Sequence, residues 1–361
     1  MKPRNIAIAC GVAGVAVGLA AATGIVYHKQ IKSAASLKRL TSYADSYDLY
    51  AIDIAYDYDL DRIIAAGVRD DQAYIDAVVA QVLPGVPVHV QAPQFACSAF
   101  VAVDAEGRVR TGRNYDFKDD TSTLLVRNHP RDGYTSIGFA ALNNLGDNTP
   151  LDSVGGRASA LMGPFAQLDG VNECGVSIAV LTLDSKPCDQ DTQRPVINTS
   201  LAIRLVLDRA ATTQEAVDLL SAYDMHAMAG RDYHFFINDA VGDARVVEWD
   251  PRDPDRAFKA TPVRQVTNFY ACYGDEVLPN QKNDELGHGK ERAVAIADVL
   301  DAHAGAQDEA VAWKALRAAA QEPNPEDITS NTQWSVIFDN TEPAAAITLR
   351  RHWGDVDAFA L

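Results

Sequence analysis

The fold of this chain is decided by one stretch, Cys97-Ser98-Ala99-Phe100-Val101-Ala102-Val103-Asp104-Ala105-Glu106-Gly107-Arg108-Val109-Arg110-Thr111-Gly112-Arg113-Asn114-Tyr115-Asp116-Phe117. Two runs, 97–103 and 108–117, flank a polar corner that contains a glycine. This pattern predicts two antiparallel strands joined by a tight turn. Such a hairpin would return Arg113 and Asp116 to the side of Cys97. A guanidinium near a thiol favours the thiolate, and a carboxylate can orient a neighbouring amine, so the stretch indicates a cysteine nucleophile.

The separations within this stretch resemble the start of the mature chain in the choloylglycine hydrolase family of N-terminal nucleophile hydrolases. That family includes bile salt hydrolases, penicillin V acylases and N-acylethanolamine amidases, and its mature chain begins with a cysteine. An arginine and an aspartate follow that cysteine at the distances seen here, where Arg113 lies 16 residues and Asp116 lies 19 residues after Cys97. The resemblance implies that cleavage of the Ala96–Cys97 bond makes Cys97 the first residue of the mature chain.

Three later segments match the same family in the same order. The turn Asn172-Glu173-Cys174-Gly175 precedes an apolar strand, at whose end Thr182 stands where the family often has an oxyanion-binding asparagine. A strand ending Val266-Thr267-Asn268 and an arginine near a helix start, Arg292, complete the match. The resemblance makes Asn268 the leading oxyanion donor and Arg292 a cation close to the thiol. Asn172 and Thr182 are candidate oxyanion or pocket residues.

The order of the predicted elements indicates an α+β protein. Short strands follow the central hairpin, two helices are predicted at 198–209 and 212–223 with Ser200 as a possible cap of the first, and strands and helices then continue to the C-terminus. The resemblance implies an N-terminal nucleophile hydrolase fold, an αββα sandwich of two antiparallel sheets between helical layers. Three segments are predicted: a signal peptide or membrane anchor at 1–30, a propeptide-like leader at 31–96, and the hydrolase domain at 97–361.

The N-terminus has the pattern of a targeting segment. Lys2 and Arg4 precede an apolar run at 6–27, whose length is close to the ~20 residues that span a bilayer. The small residues 20–22 also fit a signal-peptide cleavage site, so a membrane anchor and a removable signal both remain open. We expect the run to bring the protein to the membrane, with the catalytic part exported. Basic residues after the run, among them Lys29 and Lys32, favour the opposite topology.

Composition narrows the class of partner. The net charge of −17 argues against nucleic acid, which requires clustered basic residues. The five cysteines form no C-x-x-C pair and have no metal-like spacing, so neither a metal site nor another cofactor is predicted. An apolar fraction of 47% suits a globular protein with a large core. The partner that the family resemblance implies is a small-molecule substrate.

The resemblance implies a cysteine amidase that hydrolyses a linear C–N bond, and the residue types explain how its chemistry would work. A freed α-amine, with a pKa of ~7.7–8.0, would be the base for the thiol of the same residue. Asp116 would hold this amine, and Arg113 and Arg292 would lower the pKa of the thiol. Attack on an amide carbonyl would give a thioester on Cys97, which water hydrolyses. The expected substrate is an N-acyl amide similar to a bile salt, penicillin V or an N-acyl amine.

Other functions remain open from the sequence. The fold can persist in an exported, catalytically inert binding protein, and an acyltransferase would use the same acyl-enzyme. Arg113 and Asp116 could be only the surface ion pair of a hairpin. A papain-like pairing of Cys97 with His129 or His234 is disfavoured, because no local signature of that family surrounds Cys97.

Overall fold

The computed structural model describes residues 27–84, 96–145, 151, 153–281, 285–324, 326 and 330–361. The predicted membrane-directing run lies outside these residues except for Tyr27, and so does segment 85–95 before the expected cleavage site. Within the described ranges, no helix combines the length and apolar character that crossing a bilayer requires.

The central hairpin forms as its sequence predicts. Ala96–Val103 (β3) pairs antiparallel with Val109–Asp116 (β4), which places Cys97 opposite Tyr115 and Ala99 opposite Arg113. Four further strands extend the hairpin into an antiparallel sheet: Gln265–Val266 (β14), Thr332–Asp339 (β15), Ala344–Leu349 (β16) and Asp357–Ala360 (β17). The six strands lie in the order β14-β3-β4-β15-β16-β17, so the strand bearing Cys97 is next to an edge.

A second, nine-stranded sheet packs against the first. Its strands, in chain order, are Lys38–Arg39 (β1), Leu49–Ile54 (β2), Thr123–Asn128 (β5), Ser136–Ala141 (β6), Gln167–Asn172 (β7), Ser177–Leu183 (β8), Asp232–Asn238 (β11), Arg245–Trp249 (β12) and Phe258–Pro262 (β13). They lie in the order β1-β2-β5-β6-β7-β8-β11-β12-β13. The two sheets meet where β3 contacts β8 and β11. A separate parallel pair joins Val196–Asn198 (β9) and Asp224–His226 (β10).

Helices cover both outer faces of the paired sheets. The helices are His28–Ser36 (α1), Leu60–Ala65 (α2), Asp71–Val82 (α3), Val154–Ala160 (α4), Thr199–Arg209 (α5), Thr213–Ser221 (α6), Lys290–Asp301 (α7) and Glu309–Ala319 (α8). Short 3₁₀ turns occupy Leu142–Leu145, Gly163–Phe165, Met228–Gly230 and Ala271–Tyr273. Helix α5 packs on β7 and β8, whereas α7 and α8 pack on β3, β4 and β15. This layering is that of the αββα sandwich.

Part of the expected leader belongs to the same sandwich. Strand β2 lies parallel to β5, so the expectation that both sheets are wholly antiparallel is wrong at this pair. The run Leu49–Ile54 is almost continuously apolar and buried, which suits a parallel strand covered on both faces. Tyr74 donates a hydrogen bond to the carbonyl of Phe165, and Asp45 forms an ion pair with Arg350. Segment 27–84 therefore shares the core with the part of the chain that follows Cys97.

Two local predictions also differ from the structure. Helix α5 is capped by Asn198, whose side chain accepts from the N–H of Leu201, and Ser200 lies inside the helix. The strand predicted at 263–268 is much shorter, because β14 ends at Val266. Thr267 and Asn268 lie beyond its end and depend on other contacts for their position.

Candidate active site

Cys97 lies near the start of β3 with its thiol fully buried. Its Sγ accepts a hydrogen bond from Nη2 of Arg113 at 3.2 Å. The same guanidinium donates to the carbonyl of Val180 at 3.2 Å and forms an ion pair with Asp169, with 3.0 Å between Nε and Oδ2. The ring of Tyr115 lies 5.1 Å from the guanidinium carbon, which adds a cation–π contact. Arg113 is therefore fixed on several sides while it touches the sulfur.

Asn268 and Arg292 hold the backbone of Cys97. The N–H of Cys97 donates to Oδ1 of Asn268 at 3.0 Å, and its carbonyl accepts from Nη1 of Arg292 at 2.8 Å. Arg292 also donates to Oδ1 of Asn268 at 2.8 Å and to Oδ2 of Asp116 at 3.4 Å. The structure thus brings together the five residues that the family spacing singles out, Cys97, Arg113, Asp116, Asn268 and Arg292.

The guanidinium of Arg292 packs unusually close to the backbone of Gly289 at the N-terminus of α7. Gly289 precedes the helix with φ +82°, a backbone conformation that suits glycine. A Cβ atom at this position would lie 2.3 Å from Nη2 of Arg292 and 2.9 Å from Oγ1 of Thr267. The absence of a side chain at Gly289 therefore leaves the space that the Arg292 guanidinium occupies.

Asp116 is buried and bound on both oxygens. Oδ1 accepts from Oγ1 of Thr332 at 2.6 Å, and Oδ2 accepts from Nε2 of Gln321 at 2.9 Å. Burial raises the pKa of Asp116, against the lowering effect of Arg292. We expected Asp116 to hold the nitrogen of Cys97. In the continuous chain, the N–H of Cys97 donates instead to Oδ1 of Asn268.

The thiol is strongly desolvated. Burial raises the pKa of Cys97 from 9.0 to about 12, and the opposing charge of Arg113 is smaller in effect. Arg292 also lowers this pKa, as the sequence predicts, but burial outweighs both cations. Ala96 and Cys97 are consecutive residues of β3, so the nitrogen of Cys97 is an amide in this structure. In this continuous form the thiol is protonated at neutral pH.

The two remaining candidates differ in position. The carbonyl of Thr182 accepts from Nδ2 of Asn268 at 2.8 Å, and the buried Thr182 hydroxyl has no hydrogen-bond partner among the described residues. Asn172 instead holds a turn, since it accepts from the N–H groups of Cys174 and Val176 and donates to two carbonyls at the end of α5. No hydrogen bond in the described ranges connects Asn172 to the surroundings of Cys97.

Sequence reasoning missed the partners that hold the predicted residues. Asp169 binds Arg113, while Thr332 and Gln321 bind Asp116. Asp169 gives one local signal, because an acid in a strand between apolar residues such as Leu168 and Val171 requires a partner if that strand is buried. Thr332 and Gln321 give none, since Thr332 meets Asp116 through the pairing of β15 with β4 and Gln321 reaches it from the segment before β15.

The histidines weighed for a papain-like pair do not contact the thiol. His129 is exposed, and His234 bonds to Glu248 and to the carbonyl of Thr267. Among the described residues, no group of three or more His, Cys, Asp and Glu side chains could hold a metal ion.

Comparisons with known proteins agree with this architecture. The family model described as acyl-coenzyme A:6-aminopenicillanic acid acyl-transferase matches residues 103–352, well over half of the chain. Penicillin V acylase from Agrobacterium tumefaciens is similar in structure, with a TM-score of 0.53 and 20% identity, over 73% of this chain and 86% of that one.

Two structures of conjugated bile acid hydrolase from Clostridium perfringens are also similar, both variants with one residue replaced. Their TM-scores are 0.56 and 0.54 at 14% identity, over 73% of this chain and 92% of each hydrolase chain. No curated protein sequence gave a significant match. At these identities the structural likeness establishes a shared fold.

Proposed function

Because this chain belongs to the acyl-coenzyme A:6-aminopenicillanic acid acyl-transferase family, we propose that it is a cysteine amidase acting on linear carbon–nitrogen bonds. The resemblance to the choloylglycine hydrolase and penicillin V acylase family is confirmed by the family match and by the structural neighbours. The protein is a hydrolase of non-peptide amides in this proposal, with Cys97 as its nucleophile.

One observation carries the assignment of the nucleophile. Four polar residues surround Cys97: Arg113 and Asp116 from the same hairpin, and Asn268 and Arg292 from much later in the sequence. All five residues are buried, at 0–6% exposure. Burying two arginines and an aspartate is costly unless each is paired, and here each has its partner. Stability alone gives no reason to assemble such a cluster around a thiol, whereas a nucleophilic cysteine requires cations and donors.

The variants of the bile acid hydrolase add support for Arg113. The two replaced residues in those structures are a cysteine and an arginine 16 positions apart. Cys97 and Arg113 have the same separation in this chain. We therefore assign Arg113 as the cation that contacts the nucleophile.

Activation begins with cleavage of the Ala96–Cys97 bond by the neighbouring thiol. The sulfur attacks the carbonyl carbon of Ala96, the C–N bond breaks, and the nitrogen of Cys97 takes up the thiol proton. Water then hydrolyses the resulting thioester, which leaves a carboxylate on Ala96 and a free α-amine on Cys97. Burial is the main cause of the raised pKa of the thiol. Entry of water beside the new N-terminus would therefore lower this pKa and favour the thiolate.

The amidase cycle repeats the same chemistry on a substrate. The α-amine takes the proton of the thiol, the sulfur attacks the amide carbonyl, and the leaving amine departs with that proton. Nδ2 of Asn268 and the Thr182 hydroxyl are the side-chain donors proposed for the oxyanion, and Arg292 holds Asn268 in place. Water then releases the acid from Cys97.

The substrate class follows from the family and the neighbours. We propose a small N-acyl amide, similar to penicillin V or to a conjugated bile acid. Acyl transfer is the second candidate, because the family description names an acyl-transferase and the same thioester can pass its acyl group to an amine in place of water.

Replacement of the nucleophile tests the function. In Cys97→Ala, we expect neither cleavage before residue 97 nor turnover, whereas Cys174→Ala, a matched change at a partly exposed cysteine, should retain both. Intact mass reports cleavage, and release of amine from penicillin V, conjugated bile salts and long-chain N-acyl amides reports turnover. Added 6-aminopenicillanic acid would reveal transfer as a new amide product. An uncleaved chain with full activity would refute the mechanism, and a cleaved chain inactive on all three classes would favour an inert binding protein.

We also propose that run 6–27 directs the protein to the membrane with the hydrolase region exported. Protease added to intact cells should then digest the region. Digestion only after lysis would reverse the topology.

A further inference from the structure

A second buried polar group lies behind Asn268. His234 on β11 and Glu248 on the adjacent β12 are both fully buried, with 3.2 Å between Nδ1 of the histidine and Oε2 of the glutamate. Nε2 of His234 lies 3.0 Å from the carbonyl oxygen of Thr267, the residue before Asn268. The reaction scheme above gives neither residue a role.

The neighbours of the His234 ring fix where its proton resides. A carbonyl oxygen can only accept a hydrogen bond, so Nε2 must carry hydrogen and donate to Thr267. Nδ1 lies 3.2 Å from Oε2 of Glu248, so a hydrogen bond joins the ring to the carboxyl group on its other side.

Glu248 holds the other side of the same segment. Its Oε2 accepts from the N–H of Ala271 at 2.9 Å, and its Oε1 accepts from the N–H of Cys272 at 2.7 Å. The His234–Glu248 pair therefore binds the backbone immediately before Asn268 and the turn shortly after it. Because β14 ends at Val266, no named strand continues through Thr267 and Asn268. Single contacts hold these two residues, among them the N–H of His288, which donates to the Asn268 carbonyl at 2.7 Å, and the Thr267 hydroxyl, which donates to the carbonyl of Gly289 at 2.7 Å.

We propose that His234 is a positioning residue for the amidase reaction, which places the side chain of Asn268 against the nitrogen of Cys97 through its hydrogen bond to Thr267. This role rests on the proposed function, since it concerns the same nucleophile. Loss of the bond would let the Thr267–Asn268 backbone move, and Oδ1 of Asn268 would lose its alignment with both Cys97 and Arg292. Groups that orient metal ligands through a hydrogen bond contribute a factor of about 10–100 in activity, and we expect a similar factor for this contact.

Two nearly isosteric variants separate the two nitrogens of the ring. The side-chain amide of glutamine reaches the place of Nε2, so His234→Gln can keep the donor to Thr267. The shorter asparagine reaches only the place of Nδ1, so His234→Asn keeps the contact with Glu248 and loses the donor. We expect kcat of the Gln variant to stay within about threefold of the wild type, and kcat of the Asn variant to fall by about 10–100-fold with KM nearly unchanged.

A buried ion pair elsewhere gives the matched control. Arg204 and Asp208 on α5 are paired at 2.8 Å and nearly fully buried, with no contact to Cys97 or Asn268 in the described residues. Asp208→Asn should lower the melting temperature and leave kcat of the folded protein unchanged. Equal behaviour of His234→Gln and His234→Asn, including equal failure to fold, would overturn the proposal. An Asn variant that unfolds while the Gln variant folds would also overturn it, because the contact would then be structural.

Assays of the wild type distinguish a failure of the His234 proposal from a failure of the proposed function. If the wild type neither cleaves itself nor turns over any amide, the proposed function fails first. If the wild type is active and the Gln and Asn variants do not differ, only the role of His234 fails.

Discussion

At the scale of single residues, Asp169 makes the stability of the protein depend on pH. Burial raises the pKa of its carboxyl from 3.8 to about 6, against the charge of Arg113. The folded state therefore binds this proton more tightly than the unfolded chain. The resulting contribution to stability is fully present below pH 3.8 and is lost as pH rises through about 6. A difference of about 2 between the two pKa values corresponds to about 3 kcal/mol.

Asp169→Asn should reduce this dependence, because an amide does not titrate. Between pH 3.8 and about 6, the free energy of unfolding should fall less steeply in the variant than in the wild type. Urea unfolding at a series of pH values measures both slopes. The variant should keep part of the dependence on pH, because burial also raises the pKa of Asp116. Parallel curves for the two proteins would show that Asp169 stays ionised throughout.

Asn268→Ala should damage both chemistry and stability. Removal of an oxyanion donor usually lowers kcat by about 10²–10³, and the change also removes the acceptor for the Cys97 N–H and for Arg292. In an open pocket such a change would leave the melting temperature unaltered. Here Asn268 is fully buried and its loss leaves buried donors unpaired, so the melting temperature should fall. Calorimetry and turnover of the cleaved fraction measure the two effects, and full activity with an unchanged melting temperature would contradict them.

The residues of the site were predictable only in part. The separations between Cys97, Arg113 and Asp116 are properties of one hairpin, so a local pattern reveals them. Asn268 and Arg292 could be found only through the resemblance, because neither carries a local signal. Thr332 reaches Asp116 through the register of β15 against β4, and Gln321, which lies before β15, reaches it while bonded to Thr332. No short stretch of sequence specifies either contact.

At the scale of elements, the close packing around Gly289 at the N-terminus of α7 lets us predict the effect of adding one methyl group there. Gly289→Ala would place a Cβ against the guanidinium of Arg292 and strain a backbone with φ +82°. We expect a loss of about 1–2 kcal/mol in unfolding free energy and a fall in kcat of about 10²-fold, because Arg292 would be displaced.

Gly305→Ala controls for the backbone strain in this experiment. Gly305 has a similar φ of +78°, and nothing lies within 4 Å of the added Cβ. The control should lose similar stability and keep its kcat. Equal kcat values for the two variants would mean that Arg292 accommodates the methyl group.

Elements with a clear period were predicted well, and elements defined by their partners were not. Helix α6 spans Thr213–Ser221, within the helix predicted at 212–223. The cap of α5 was assigned to Ser200, although Asn198 is the residue with the extended backbone that an N-cap requires. β14 ends early because only Gln265 and Val266 pair with β3, and no propensity signals that limit. The parallel contact of β2 with β5 joins two segments about 70 residues apart, which no local pattern shows.

At the scale of the whole molecule, the leader should stay bound after cleavage. Strand β2 is paired along its length with β5, and Tyr58 bonds to Asp208 while Tyr74 bonds to Phe165. A cut before Cys97 breaks none of these contacts. Fragments 1–96 and 97–361, or a shorter leader if a signal is removed, should therefore migrate together under native conditions and separate in denaturant. Size exclusion followed by intact mass tests this, and recovery of an active 97–361 fragment alone would contradict it.

The position of β2 also constrains how the protein can be produced. Expression from Cys97 onward would supply the nucleophile without any need for cleavage. It would also remove β1 and β2, so β5 would become an edge strand of the large sheet. Leu124 and Val126 are fully buried in the intact chain, and the N–H and C=O groups of β5 would then lack the ladder that β2 provides. Exposed borders of this kind pair with other copies and lead to aggregation. We therefore expect the protein expressed from Cys97 onward to be insoluble. Co-expression of segment 27–84 as a separate peptide should restore solubility.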